Sequence, residues 1–157
     1  KRGFVEILER EVHRAKRYEA NLSLCLMRMD VEWANPELSY DERDRMIKYL
    51  AGILAEHVRK SDTLGRVDTH MFGLVLPYIS APEAQQICER LWHSFGEEPE
   101  EAANQVKVFL SLVELSIEAE ETDTDFLGRA TSELLKAMES EEYRTVSIPD
   151  TELTADS

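Results

Sequence analysis

Basic residues are scarce in this chain: 18 Lys and Arg stand against 32 Asp and Glu, a formal charge of −14 over 157 residues. A protein that grips nucleic acid without sequence preference needs a cationic face to displace counterions from phosphate, so a polymeric DNA or RNA partner is excluded as its general role. Docking on anionic lipid is disfavoured for the same reason. Long hydrophobic runs are also missing. No stretch approaches the roughly 18–20 apolar residues that a bilayer-spanning helix takes, and Lys1 to Glu11 lacks the apolar centre of a secretion signal. The expectation is a cytoplasmic domain without direct membrane contact, free or as the cytoplasmic part of a membrane-anchored protein.

Cysteine is limited to Cys25 and Cys88, each inside an apolar periodic segment, which predicts buried free thiols rather than a disulfide or a metal pair. The histidines, His13, His57, His70 and His93, are scattered with no partner at ligand spacing, so no metal site is predicted. His57 and His93 read as partly buried packing residues of helices, and His70 as a turn residue. The six glycines form no dinucleotide fingerprint, Walker loop or nucleophile elbow. What is present is apolar content of 43%, enough for one domain with a real core.

Phe4, Ile7, Leu8, Val12 and Ala15 recur at helical spacing, and this helix begins so near Lys1 that a longer parent protein is expected. Leu22 to Met29 is a nearly continuous apolar run without Gly or Pro, a strand buried on both faces, ending at Asp30. Ser39 is placed to cap a helix carrying Met46, Ile47, Leu50, Ile53, Leu54, His57 and Val58 on one side. Thr63–Val67 and Met71–Leu76 predict a hairpin turning through Asp68-Thr69-His70 and closed by Pro77. Ala81 to Phe95 predicts a helix, Gly96 to Asn104 an acidic loop, Val106 to Ile117 a strand, Thr124 to Ser140 a helix and Tyr143 to Ile148 a last strand. The order α-β-α-β-β-α-β-α-β implies a single α/β (α+β) sandwich with a central mixed five-stranded sheet flanked by helices, residues 1–148, followed by a polar tail, 149–157.

This order, with Phe4-x-x-x-Leu8-x-x-Glu11-x-x-Arg14-Ala15-x-Arg17-Tyr18, Leu22-Ser23-Leu24, a strand ending at Asp30, Arg59-x-Ser61-Asp62-x-x-x-Arg66, and Phe72 with Leu74-Val75-Leu76-Pro77, resembles the GGDEF family of diguanylate cyclases. Its members condense two GTP molecules into cyclic di-GMP on a palm-like nucleotidyl-cyclase fold. Against the family pattern, the five signature positions are occupied by Asp68, Thr69, His70, Met71 and Phe72, so only the phenylalanine remains. Side chains replace the glycines that let backbone lie against nucleotide. His70 and Met71 stand where acidic groups meet magnesium, a cation that prefers hard oxygen ligands. Asp30 is the one surviving carboxylate of the metal site. Asp44 aligns with the guanine-reading aspartate, although a solvated first-turn acid favouring the helix dipole is the preferred reading. Asn35 aligns as a displaced remnant of a substrate contact, and the triphosphate lysine falls at Met138.

The resemblance also implies a second site. An Arg-x-x-Asp motif five residues before the signature forms the family's inhibitory site for cyclic di-GMP, and Arg59, Asp62 and, from the next helix, Arg90 match its ligands. A guanidinium can pair with guanine O6/N7 or clamp a phosphate, while a carboxylate accepts from guanine N1–H and N2–H₂. Arg59, Lys60, Arg66 and Arg90 would then form a local basic patch. Two other readings stay open: Arg59 and Asp62 as an ordinary helix-closing ion pair, and Arg90 paired with Glu89 or Glu83. Trp33 and Trp92 read first as packing residues. The implied function is a catalytically inactive cyclic di-GMP receptor without cofactor or magnesium, acting on other domains of the same protein or on a second copy; the alternatives are an interaction pseudoenzyme that binds no nucleotide and residual GTP binding.

Overall fold

The computed structural model describes residues 2–31, 36–95 and 103–149. Trp33, Asn35, most of the predicted acidic loop and the tail beyond Pro149 lie outside these. Among the described residues nine elements follow in chain order: α1 (Arg2–Tyr18), β1 (Leu22–Asp30), α2 (Tyr40–Glu56), β2 (Thr63–Asp68), β3 (Met71–Pro77), α3 (Ala81–Ser94), β4 (Ala103–Glu114), α4 (Asp123–Glu139) and β5 (Tyr143–Pro149).

The strands form one sheet in the order β2-β3-β1-β4-β5. β1 is central, and its alternating side chains feed two cores. Cys25, Met27, Met29 and Val31 join α2 and α3 on one face, while Leu22, Leu24 and Leu26 join α1 and α4 on the other. That is the physical reason for an apolar run without alternation: a strand covered on both faces has no wet side.

The sheet is not mixed. Every pairing, β1 with β3 and β4, β2 with β3, and β4 with β5, is antiparallel. β1 and β2 do run in the same direction, but the hairpin inserts β3 between them, so parallel strands never become neighbours.

Reciprocal caps fix the helix starts: Ser39 with Glu42, and Thr122 with Asp125. α2 ends at Glu56, two residues short of the Val58 that its apolar pattern reaches; His57 is the C-cap, its N–H donating to the Leu54 carbonyl at 3.1 Å and its Nδ1 lying 2.9 Å from the Ile53 carbonyl. His57 is therefore exposed rather than packed, and so is His93. β4 stops at Glu114, where the chain leaves the ladder and a clasp closes the connection to α4. Arg129 donates through Nε to Glu121 Oε2 at 2.9 Å and through Nη2 to Oε1 at 2.8 Å and to the Glu114 carbonyl. Ser116 N–H adds a bond to Glu121 Oε1 at 3.1 Å.

The Arg129 hydrogen bonds hold the Glu121 carboxyl below its ordinary range, against the opposing effect of its burial. A depressed folded-state value contributes stability that is fully present above the unfolded carboxylate pKa of about 4.3 and is lost as pH falls through the folded value. Arg129→Gln is expected to flatten the acid limb of stability against pH, read by urea unfolding between about pH 2 and 5. Parallel limbs for variant and wild type would refute the assignment.

α1 is seated by a notch in the hairpin. Gly65 and Gly73 are register partners on β2 and β3, and the Phe4 ring lies against both. A Cβ built on Gly73 would stand 2.3 Å from Phe4 Cζ, and one on Gly65 2.8 Å from Phe4 Cδ1.

Candidate functional site

The turn between α2 and β2 carries Arg59 and Asp62. Asp62 N–H donates to the Arg59 carbonyl at 3.0 Å, folding the segment so that the Asp62 carboxylate points back at its neighbour. Oδ2 accepts from Arg59 N–H at 2.9 Å and from Nε at 3.1 Å. Oδ1 accepts from Nε at 3.1 Å and Nη2 at 2.6 Å. Arg59 Nη2 also donates to the Pro77 carbonyl at 3.0 Å, tying the turn to the end of β3. The result is asymmetric: the Arg59 side chain remains 44% exposed, and that of Asp62 only 2%.

Asp62 is thus brought to Arg59, as its spacing implies, but its oxygens are taken up there. Direct reading of guanine by Asp62 requires the carboxylate to exchange Arg59 for the base. The hydrogen bonds of Asp62 hold Arg59 above its ordinary basicity, opposed by burial and assisted by the charges of Asp62 and Glu83.

Glu83 entered the sequence reading only as a partner for Arg90. Its Oε1 accepts from Ser80 N–H at 3.1 Å and Ser80 Oγ at 2.8 Å, capping α3, and these bonds, the backbone one first, lower its carboxyl from the ordinary value, with Arg59 adding to the shift. The Ser80-x-x-Glu83 spacing is the signal that locates it. Arg90 is exposed on α3. It lies seven residues after Glu83, two turns along the same flank and about 10 Å further on. Arg59, Glu83 and Arg90 therefore share one side of the molecule.

Glu89, considered from sequence as a partner for Arg90, is engaged elsewhere. It accepts from Arg144 Nη2 on β5 at 3.2 and 3.3 Å, and the same guanidinium lies 5.0 Å from the centre of the Trp92 ring. Trp92 is half-buried and packs against the main core.

The structure also separates Arg66 from Arg59. Successive residues of β2 advance about 3.3 Å each, which carries Arg66 to the hairpin tip. There Nη2 donates to the Thr69 carbonyl and the guanidinium lies 5.7 Å from the Phe72 ring centre. The basic patch read from sequence thus loses Arg66 to a cleft of about 510 Å³ lined by Tyr40, Asp44, Arg66, Val67, Asp68 and Thr69.

Asp44 is in the second turn of α2, paired with Lys48 at 3.0 Å. The first-turn acids are Asp41 and Glu42, so the helix-dipole account of Asp44 does not hold.

The tip turns without a left-handed residue: among the described residues positive φ occurs outside glycine only at Glu19, Tyr78, Glu120 and Glu141. Thr69 N–H is bonded by its neighbour's Asp68 Oδ1. His70 accepts from Met29 N–H at 2.8 Å, which sets the tip beside the end of β1 that carries Asp30. Met71 packs against the second core and Phe72 is buried in the first, so packing alone accounts for a phenylalanine there. His70 and Met71 offer no hard oxygen of the kind magnesium prefers, and among the described residues no three His, Cys, Asp or Glu side chains come together where they could hold a metal ion.

Five antiparallel strands in this order, with two helices on each face, define a palm-like α/β domain. The solved active GGEEF domain of a diguanylate cyclase from Vibrio cholerae superposes with a TM-score of 0.79 at 22% identity, over 89% of this chain and 90% of that one. The diguanylate cyclase SiaD of Pseudomonas aeruginosa, solved with its activator SiaC, gives 0.78 at 26% identity over 89% of this chain and 55% of that one. The GGDEF domain of DgcB from Caulobacter crescentus, solved in complex with cyclic di-GMP, gives 0.77 at 16% identity over 89% and 85%.

The family model "Diguanylate cyclase, GGDEF domain" matches residues 1–144, and the chain belongs to that family. A curated relative, the diguanylate cyclase DgcP of Pseudomonas aeruginosa, is 31% identical over 87 residues, 55% of this chain but only 13% of that protein's length. Among the described residues no helix is long and apolar enough to cross a membrane.

Proposed function

We propose that this chain is a catalytically inactive GGDEF domain that serves as a receptor for cyclic di-GMP. Arg59 and Arg90 face the ligand, and Asp62 orients Arg59. The supporting observation is a contrast within one molecule. Arg59 is fixed by Asp62 and Pro77 with nearly half of its side chain open, and Arg90 is exposed on the same flank. At the hairpin tip, by contrast, His70 and Met71 stand at the positions where the family pattern has the acidic groups that phosphoryl transfer requires, and the Asp68 carboxylate is turned to Thr69 N–H.

A planar guanidinium held at one edge presents its remaining donors in a fixed plane, suited to guanine O6/N7 or a phosphate. Two arginines on one flank, Arg59 in the turn after α2 and Arg90 on α3, fit a ligand carrying two phosphates and two guanines. Such a ligand, taken as a stacked pair, bridges this surface to another domain of the same protein or to a second copy. No magnesium is required.

One observation favours a second reading, an interaction module without nucleotide: the Asp62 carboxylate is already consumed by Arg59. Calorimetric titration with cyclic di-GMP separates the two. The receptor reading expects micromolar or tighter binding, weakened about ten- to hundredfold in both Arg59→Ala and Arg90→Ala, as befits loss of one charged hydrogen-bonding group. Absence of binding by the wild type sinks it. Incubation with GTP and magnesium is expected to give no cyclic product, and any product overturns inactivity.

A further inference from the structure

We propose that Cys25 and Cys88 are a redox pair that closes to a disulfide inside the fold, fastening α3 to the central strand. The two cysteines are 63 residues apart in sequence, yet the fold sets Sγ against Sγ at 3.9 Å. Both are free and buried, Cys25 at 0% and Cys88 at 1% exposure, within the core shared by β1, α2 and α3. A disulfide needs about 2.05 Å between sulfurs, so each must move only about 1 Å.

The surroundings decide which oxidant can act. Buried thiols are closed to bulky reagents such as glutathione disulfide, whereas a peroxide is small enough to enter on a local opening of α3. Cys88 is the first nucleophile, because the hydrogen bond with Cys25 lowers its thiol while that bond and burial raise the thiol of Cys25.

The Cys88 thiolate attacks a peroxide oxygen; the S–O bond forms, the O–O bond breaks, and hydroxide leaves with a proton as water. The sulfur of Cys25, giving up its proton, then displaces hydroxide from the Cys88 sulfenic acid. The S–S bond forms and a second water departs. Two thiols and one hydrogen peroxide give one disulfide and two waters, the sulfurs losing the two electrons that the peroxide gains.

The closed loop encloses α2, the β2–β3 hairpin and both Arg59 and Asp62, and Cys88 lies two residues before Arg90. Cross-linking such a long loop restricts the unfolded chain strongly. The bond therefore makes the region around the arginines harder to unfold while displacing the folded backbone little.

The test is treatment of the folded protein with hydrogen peroxide, followed by alkylation in denaturant, intact mass and peptide mapping. The expected result is a monomer lighter by two hydrogens, with Cys25 and Cys88 joined and unalkylated, and a higher melting temperature that dithiothreitol restores. Cys88→Ala should show neither change. Thiols that remain alkylatable in full, oxygen added at either cysteine without the linkage, or a disulfide formed only between chains would each overturn the proposal.

Discussion

Phe4→Ala is expected to lower the unfolding free energy by about 3–5 kcal/mol, the range for emptying a buried aromatic site, and to change the sign of a second substitution. Phe4 is 3% exposed and forms the contact between α1 and the glycine pair of the hairpin. In the wild type, Gly73→Ala drives a methyl group into ring atoms that lie 2.3, 2.6 and 3.0 Å from the new Cβ. Overpacking of that kind costs about 1–3 kcal/mol. In the Phe4→Ala background the same methyl enters the vacated space and restricts the unfolded chain, so Gly73→Ala should stabilise by about 0.5–1 kcal/mol. The two substitutions would then couple by about 1.5–4 kcal/mol, at the upper end of the range seen for residues in contact. Urea unfolding of the four proteins in the cycle measures this. Equal costs in both backgrounds would show that something other than Phe4 demands glycine at position 73.

Arg59→Ala is expected to destabilise the domain by about 1–3 kcal/mol, the cost of leaving a buried acceptor under-satisfied. The variant keeps the backbone N–H that Asp62 Oδ2 accepts but strips the carboxylate of all three guanidinium bonds, and it takes the Arg59 donor from the Pro77 carbonyl. Adding Asp62→Ala removes the stranded charge, so the double variant should recover part of the loss. Arg90→Ala, on an exposed position, should stay within about 0.5 kcal/mol of wild type. The stability difference matters for the ligand titration. Loss of binding in Arg59→Ala alone is open to a structural explanation; loss in Arg90→Ala, at unchanged stability, is not. An Arg59→Ala protein as stable as wild type would mean that the Arg59–Asp62 pair contributes nothing measurable.

Local regularities made most of the fold legible. The nearly continuous run in β1, the hairpin around Asp68–His70 and the Ser39 cap each depend on a few neighbouring residues, and each appears in the structure where expected. The sheet's polarity did not follow from element order, because it depends on which strands become neighbours: β3 comes between β1 and β2, and β1 between β3 and β4. In the site, Arg59 and Asp62 are three residues apart in a turn, so their meeting was legible. The anchor at Pro77 is 18 residues from Arg59 and was not. Arg66 was misplaced because closeness in sequence is a poor guide along an extended strand. The meeting of Cys25 with Cys88 is a product of tertiary packing between β1 and α3, with no local signature.

Arg144 has a mechanical consequence for the opposite side of α3. By engaging Glu89 and Trp92 it pins the helix along the flank facing β5, and the buried Ala84, Ile87, Cys88 and Leu91 keep the underside seated. A rod held on two sides resists rolling about its own axis. On the receptor reading proposed above, any distance that Arg90 must cover toward a bound molecule would therefore be supplied by its own flexible side chain, while the span between its backbone and that of Arg59 would act as a fixed gauge that selects ligands by length.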